Sequence, residues 1–366
     1  MCRRFESCRG HRQDRADRTH CNDDHVIDET ETASAARQIA AGFCLETPRS
    51  LVTAAQGAMG RVWRLDTESG AFAVKESLWP DDPDSLRTQL ELSACVCDQA
   101  HDAGVRVPRV RRTEGGSLLL SVYGSPGGEL TPVRVATWIE GKPCDRTLAG
   151  RDAAEWLGST LATLECLPDP PTPPTQPWLG SWFTHAPDTN EWQSLVRRGE
   201  REHAAWAPAL AHQLTALVEL GQLVGSAEDG LTVTHTDLQP ANVLVTDDGY
   251  ALLDWDDVGS VSRNRTLARA INDWHLHGAE IDVDGIRRTV TAYRAGGGMG
   301  IVREPRDFGD VIAGFLNYLR GQADVSLDQS HGRADAQDAS NRVVAMLEHP
   351  LNLSVVLRLL AVVRSL

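Results

Sequence analysis

The chain has 366 residues, 41% of them apolar, and a formal net charge of −15 at pH 7. That length allows two domains or one large two-lobed unit. No apolar run reaches the ~18–20 residues of a membrane span, and an acidic chain is a poor match for polyanionic nucleic acid, so neither a membrane nor a nucleic acid is expected as partner. The charge is uneven, −4 in residues 1–140 and −11 in residues 141–366. This excess suits attraction of a cationic ligand to the second half and, equally, plain solubility.

Residues 1–32 are polar and charge-mixed, a composition typical of a disordered extension, and they lack the apolar core of a secretory signal. Arg4-Phe5-Glu6-Ser7 can be encoded by CGG-TTC-GAG-TCC, which looks like the T-arm of a transfer-RNA gene. This suggests a start placed too far upstream, with Val26 as a plausible true start. The eight cysteines (Cys2, Cys8, Cys21, Cys44, Cys95, Cys97, Cys144 and Cys166) form no CxxC pair. Reduced thiols in a cytoplasmic protein are expected. Cys2, Cys8 and Cys21 with His11 and His20 fit no common zinc-finger spacing.

From residue 33 to 140 the pattern predicts a small lobe. A short helix (ASAARQIAAGF) precedes three strand-like runs, SLVTAAQG, GRVWRLDT and GAFAVKES, separated by glycine-containing turns. A helix follows, with Asp84 as candidate N-cap and Gly104 at its end. VPRVRRT, GSLLLSVYG and TPVRVATWIEG supply further strands. Residues 141–366 turn helical, interrupted by PDPPTPPTQP, by GGGMG and by a polar loop around 323–340. LNLSVVLRLLAVV near the C-terminus carries Arg358 and predicts a packed amphipathic helix rather than a span.

The informative stretch is VTHTDLQPANVLVTDDGYALLDWDD. Asp247-Asp248-Gly249 is a hairpin signal between short apolar strands. It brings together Asp237 and Asn242, before one strand, and Asp254, at the end of the other. Asparagine and aspartate oxygens suit a hard cation such as Mg²⁺, and Asp237 is placed to accept a proton from a hydroxyl. The bland alternative is a hairpin with a polar rim. His235 is expected to order the loop rather than to do chemistry.

HTDLQPAN followed by LLDWDD resembles the catalytic and metal-binding segments of the aminoglycoside phosphotransferase/choline kinase family. The resemblance implies an α+β, bilobal protein-kinase-like fold, with a small antiparallel-sheet N-lobe and a larger, mainly helical C-lobe. It implies ATP and Mg²⁺ as cofactors, Asp237 as catalytic base, and Asn242 and Asp254 as metal ligands. Lys75, in FAVK, and Glu91 on the following helix would pair to hold the nucleotide phosphates. Gly57 and Gly60 lie in the phosphate-covering segment QGAMGRVW, and Thr137 and Ile139 lie in the hinge that meets the base.

Departures from the pattern are Thr236, Gln239 where Ser/Thr kinases carry lysine, and Glu165 where LGxxLAxLH has histidine. No APE-type activation segment follows Asp254. Asp256 stays open between second metal contact, structural residue and substrate ligand, while Asp257 reads as structural. Trp178, Trp182 and Trp192 suit stacking on a sugar or cation, or core packing. The implied reaction is ATP-dependent phosphorylation of a small-molecule hydroxyl, an amino sugar or aminoalcohol first, with choline, homoserine or a sugar as alternatives. A non-catalytic pseudokinase and a protein kinase are the opposing readings.

Overall fold

The computed structural model describes residues 29–57, 60–76, 83–123, 130–144, 151–171, 182–226, 230–328 and 333–366. Cys2, Cys8, Cys21, His11, His20 and Trp178 lie outside the described residues. The first helix, α1 (Glu29–Gly42), begins inside the stretch assigned from composition to the extension.

Strands β1 (Pro48–Gly57), β2 (Gly60–Thr67) and β3 (Ala71–Glu76) form an antiparallel meander. After α2 (Pro83–Asp102) come β4 (Val110–Arg111), β5 (Leu120–Val122) and β6 (Thr131–Thr137). The sheet order is β1-β2-β3-β6-β4, with β5 also on β6. Asp84 lies inside the first turn of α2, bonded to Arg87 (2.8 Å), and not at its cap.

Alternation along each strand decides which residues face which layer. Phe72, Val74, Val133 and Val135 join Ala36, Ile39 and Phe43 of α1 in one apolar core with Trp63 and Leu65. Lys75 and Arg134, at the intervening positions and directly opposite each other in the β3–β6 register, are thereby sent to the other face.

The second lobe is built from α3 (Arg151–Glu165), α4 (Thr189–Arg201) and α5 (Ala207–Gly221), followed by a short-stranded segment and α6 (Arg263–His275). β12 (Leu276–His277) and β13 (Glu280–Ile281) form a small hairpin before α7 (Val283–Ala295), α8 (Gly309–Leu327), α9 (Arg333–Glu348) and α10 (Leu353–Arg364). Leu157, Trp192, Trp206, Ile271, Ile286, Leu316 and Leu359 share its core; burying each such side chain contributes roughly 1.5–3 kcal/mol. Trp192 is therefore a core residue. Gly158 lets α3 and α7 touch, since a Cβ there would stand 2.2 Å from the Thr289 carbonyl oxygen. α10 is the expected packed helix, capped by Asn352, which accepts from the Val355 amide (3.1 Å). Among the described residues no single helix is long and apolar enough to cross a membrane.

What positions the site is a pair of nested hairpins. β8 (Leu231–His235) pairs antiparallel with β11 (Val258–Ser262), His235 opposite Val258. Between them, β9 (Val243–Thr246) pairs with β10 (Gly249–Leu252), and β7 (Lys142–Pro143) lies on β9. The outer and inner pairs leave two loops side by side, 236–242 and 253–257. The strand β11 carries a weak local signal, since VGSVS sets only two valines among small residues.

Candidate active site

The loop 236–242 is set by its own backbone. Gln239 N donates to Asp237 O (2.9 Å), Pro240 opens a short 3-10 turn, and Asn242 N donates to Gln239 O (2.9 Å). Leu238 is buried, and its carbonyl accepts from the Trp274 indole (3.0 Å), tying the loop to α6.

These ties present the Asp237 carboxylate to three donors. Oδ2 accepts from Gln239 Nε2 (2.8 Å) and Asn242 Nδ2 (2.7 Å), and Oδ1 accepts from Arg269 Nη2 (2.5 Å). Arg269 stacks over the Phe183 ring (4.9 Å to the centroid), and its Nε lies 3.5 Å from Asp273. Phe183 is in turn held by α8, where Asn317 donates to the carbonyls of Trp182 (2.7 Å) and His185 (2.8 Å). Arg269 was invisible to motif reasoning. The one signal was the i, i+4 spacing of Arg265, Arg269 and Asp273 along α6.

His235 joins the two loops. Its Nδ1 accepts from the Asp237 amide (3.2 Å), so its Nε2–H donates to Leu253 O (2.9 Å), and Trp255 packs edge-on to its ring (4.9 Å). Thr236, a departure from the family pattern, bonds the Asp257 carbonyl through its hydroxyl. On the other loop, Leu253 N donates to Asn242 O (2.8 Å), which makes Asp254 the neighbour of Asn242. Asp254 sits at φ 57, ψ 66. A left-handed non-glycine residue costs of order 1 kcal/mol and persists where the surroundings fix it, commonly at functional sites.

Lys75 Nζ donates to Asp254 Oδ1 and Asp256 Oδ2, both at 2.6 Å. Arg134 donates to the other oxygen of Asp256. Burial opposes charge on Lys75, but Asp256 and then Asp254 outweigh it and hold its pKa above the ordinary lysine value. Burial likewise disfavours the Asp256 carboxylate, and Arg134 and Lys75 overcome this and hold its pKa below the usual range.

The expected Lys75–Glu91 pair is not formed. Glu91 instead receives both terminal nitrogens of Arg112 (2.8 and 2.7 Å). The residue that α2 sends toward the cleft is Gln89, buried and donating to the carbonyls of Asp256 (3.0 Å) and Val258 (2.8 Å). Two positions further along a helix is about 200° around its axis, which turns Glu91 away.

Gly57 and Gly60 pair at the turn end of the β1–β2 hairpin. At the hinge, Thr137 N donates to Arg109 O (2.9 Å), the Thr137 hydroxyl accepts from Arg109 N (2.8 Å), and Trp138 N donates to Ala71 O (3.0 Å). Ile139, half-buried, follows the strand.

The donor set fits a hard divalent cation. Among the described residues no group of three His, Cys, Asp or Glu side chains converges on a metal. Asn242 commits its amide nitrogen to Asp237, which leaves the amide oxygen as acceptor, and the Asp254 side chain is 45% exposed. One or two protein oxygens completed by phosphate and water is how Mg²⁺ is held in phosphotransfer sites.

Residues 50–295 match the model of the phosphotransferase enzyme family. No curated protein matches the sequence significantly. Among solved structures, a spectinomycin phosphotransferase in complex with ADP and spectinomycin superposes with TM-score 0.56 at 14% identity, covering 88% of this chain and 95% of its own. An amicoumacin kinase in complex with AMP-PNP, Ca²⁺ and Ami gives 0.58 at 14%, covering 89% and 94%. A microcompartment-associated aminopropanol kinase gives 0.58 at 17%, covering 89% and 98%. At these identities the neighbours establish the shared kinase-like fold. The family match spans most of the chain and includes both loops of the cleft: the protein belongs to the phosphotransferase enzyme family.

Proposed function

We propose that the protein transfers the γ-phosphoryl group of ATP to a hydroxyl of a small, amine-bearing molecule. The observation that carries this reading is the Asp237 carboxylate, fixed by Arg269, Gln239 and Asn242 beside a loop whose Asp254 faces Lys75. Transfer of this kind is mainly positioning and charge neutralisation. Asp237 orients the acceptor hydroxyl and takes its proton. Asn242 and Asp254 would hold Mg²⁺, which supplies neutralisation of the phosphate charge. Lys75 carries positive charge to the phosphates from the sheet. Thr137 and Trp138 have already spent their N–H groups within the protein, so the Ile139 amide and the hinge carbonyls are left to meet the base.

The acceptor's charge is argued locally. Four carboxylates, Asp237, Asp273, Asp310 and Asp257, act on Arg269, and Arg265 is bonded to one of them, Asp310, at 2.5 Å. The acceptor side therefore carries net negative charge, which favours an amino sugar or aminoalcohol over an anionic acceptor. The neighbouring spectinomycin, amicoumacin and aminopropanol enzymes support a small-molecule acceptor. The test is ADP release with Mg·ATP and a panel of aminoglycosides, aminopropanol, choline, homoserine and neutral sugars. Turnover on amine-bearing members is the expected result. Turnover on neutral sugars or on protein alone would refute the acceptor assignment.

A further inference from the structure

Lys75 needs a counter-ion that holds its Nζ in the cleft, and helix α2 does not provide one. Glu91 is engaged by Arg112 on the outer face, and the α2 residue that reaches the cleft, Gln89, is neutral. Lys75 and Arg134 stand directly opposite each other on adjacent strands. Like charges in that arrangement repel, so this pair requires an anion between them. Asp256 fills that place with one oxygen on each cation, and its backbone carbonyl is fixed by Gln89.

Resting on the kinase reading above, we propose that Asp256 is the positioning residue that sets Lys75 for the nucleotide, with Arg134 as its clamp. Asp256 turns one carboxylate oxygen to each of these cations, which assigns it to holding them together. The ion pair that a helix glutamate supplies in the kinase pattern is here moved to the loop two residues past Asp254. Asp254 is thereby released from duty as the sole partner of Lys75 and keeps an exposed carboxylate. Tying the lysine anchor to that loop makes the lysine's position and Asp254's position one unit.

The test is calorimetric titration of Mg·AMP-PNP into the wild-type protein and three variants, with the melting temperature of each unliganded protein recorded. Asp256→Asn should weaken binding about tenfold or more, the order of one charge-assisted hydrogen bond. It should also lower the melting temperature, because Arg134 loses its partner. The double variant Asp256→Asn with Arg134→Met restores the balance of buried charge. It should recover melting temperature while binding stays weak, a result that a purely structural role would not give. Glu91→Gln should bind as the wild type does. Wild-type affinity in the double variant, or a loss in Glu91→Gln as large as in Asp256→Asn, would overturn the proposal and leave the kinase reading standing. A wild-type protein that binds no Mg·AMP-PNP would overturn both.

Discussion

The two carboxylates that define the cleft are held in opposite ways. Asp237 is only 14% exposed and has three donors, two neutral amides and one guanidinium. Asp254 is 45% exposed, sits in a left-handed conformation and accepts from Lys75 (2.6 Å). The first is preorganised: its position is decided by the protein before any ligand arrives, which suits a group that must align a hydroxyl. The second is presented, with its backbone fixed and its oxygens turned to the cleft, which suits a group that meets a cation. The same pair of nested hairpins produces both: Asp237 is held by Gln239 and Asn242 of its own loop and by Arg269 of α6, whereas the partner of Asp254 is Lys75 of β3.

If that contrast is right, substitutions on the two sides should fail differently. Asp254→Asn should have the largest effect beyond the base itself, a fall in turnover of about 10³-fold or more, with activity no longer saturating as Mg²⁺ is titrated. A normal Mg²⁺ dependence in that variant would remove Asp254 from the metal site. Arg269→Met should lower kcat by about 10²-fold while leaving KM for ATP unchanged, since it acts on the base and not on the nucleotide. A change confined to KM for ATP would place Arg269 on the wrong side of the comparison.

The smallest effect concerns the helix that delivers Arg269. At the end of α6, His275 is buried with its Nε2 bonded to Thr289 Oγ1 (2.8 Å), and burial pushes its pKa down to about 4 despite Asp282 nearby. A depressed histidine favours folding in its neutral form. Its contribution is therefore present above the ordinary value near 6.5 and is lost as pH falls toward 4. Denaturant melts should show the wild type losing about 2 kcal/mol more than His275→Gln between pH 7 and pH 5. Equal losses would disconnect His275 from the stability of α6.

The legible part of the molecule was the part encoded locally. The β-strand runs of the first lobe, the hairpin turn at Asp247-Asp248-Gly249 and the spacing of His235, Asp237 and Asn242 each lie within a short stretch. All of them stand where the pattern placed them. What failed or was missing depends on register and rotation. Glu91 has the right chemistry in the right helix but faces Arg112, because two helical positions reverse the direction of a side chain. Arg134 gains meaning only from the β3–β6 register that sets it beside Lys75.

Glu165, an unexplained departure in the sequence, proves to be a tertiary joint. Buried at the end of α3, it accepts from the Tyr293 hydroxyl and the Met299 amide (2.8 Å) and lies 3.2 Å from Arg263. It thus binds three separate segments, and no local pattern announces such a role.

The central claim is that Asp237 is the base of an ATP-dependent phosphotransfer. The most direct measurement follows labelled γ-phosphate from ATP to the acceptor panel in the wild type and in Asp237→Asn, with Mg·ATP affinity measured for both. The account predicts labelled product from the wild type, a loss of about 10³-fold or more in the variant, and unchanged Mg·ATP affinity. Transfer by Asp237→Asn at the wild-type rate would contradict it.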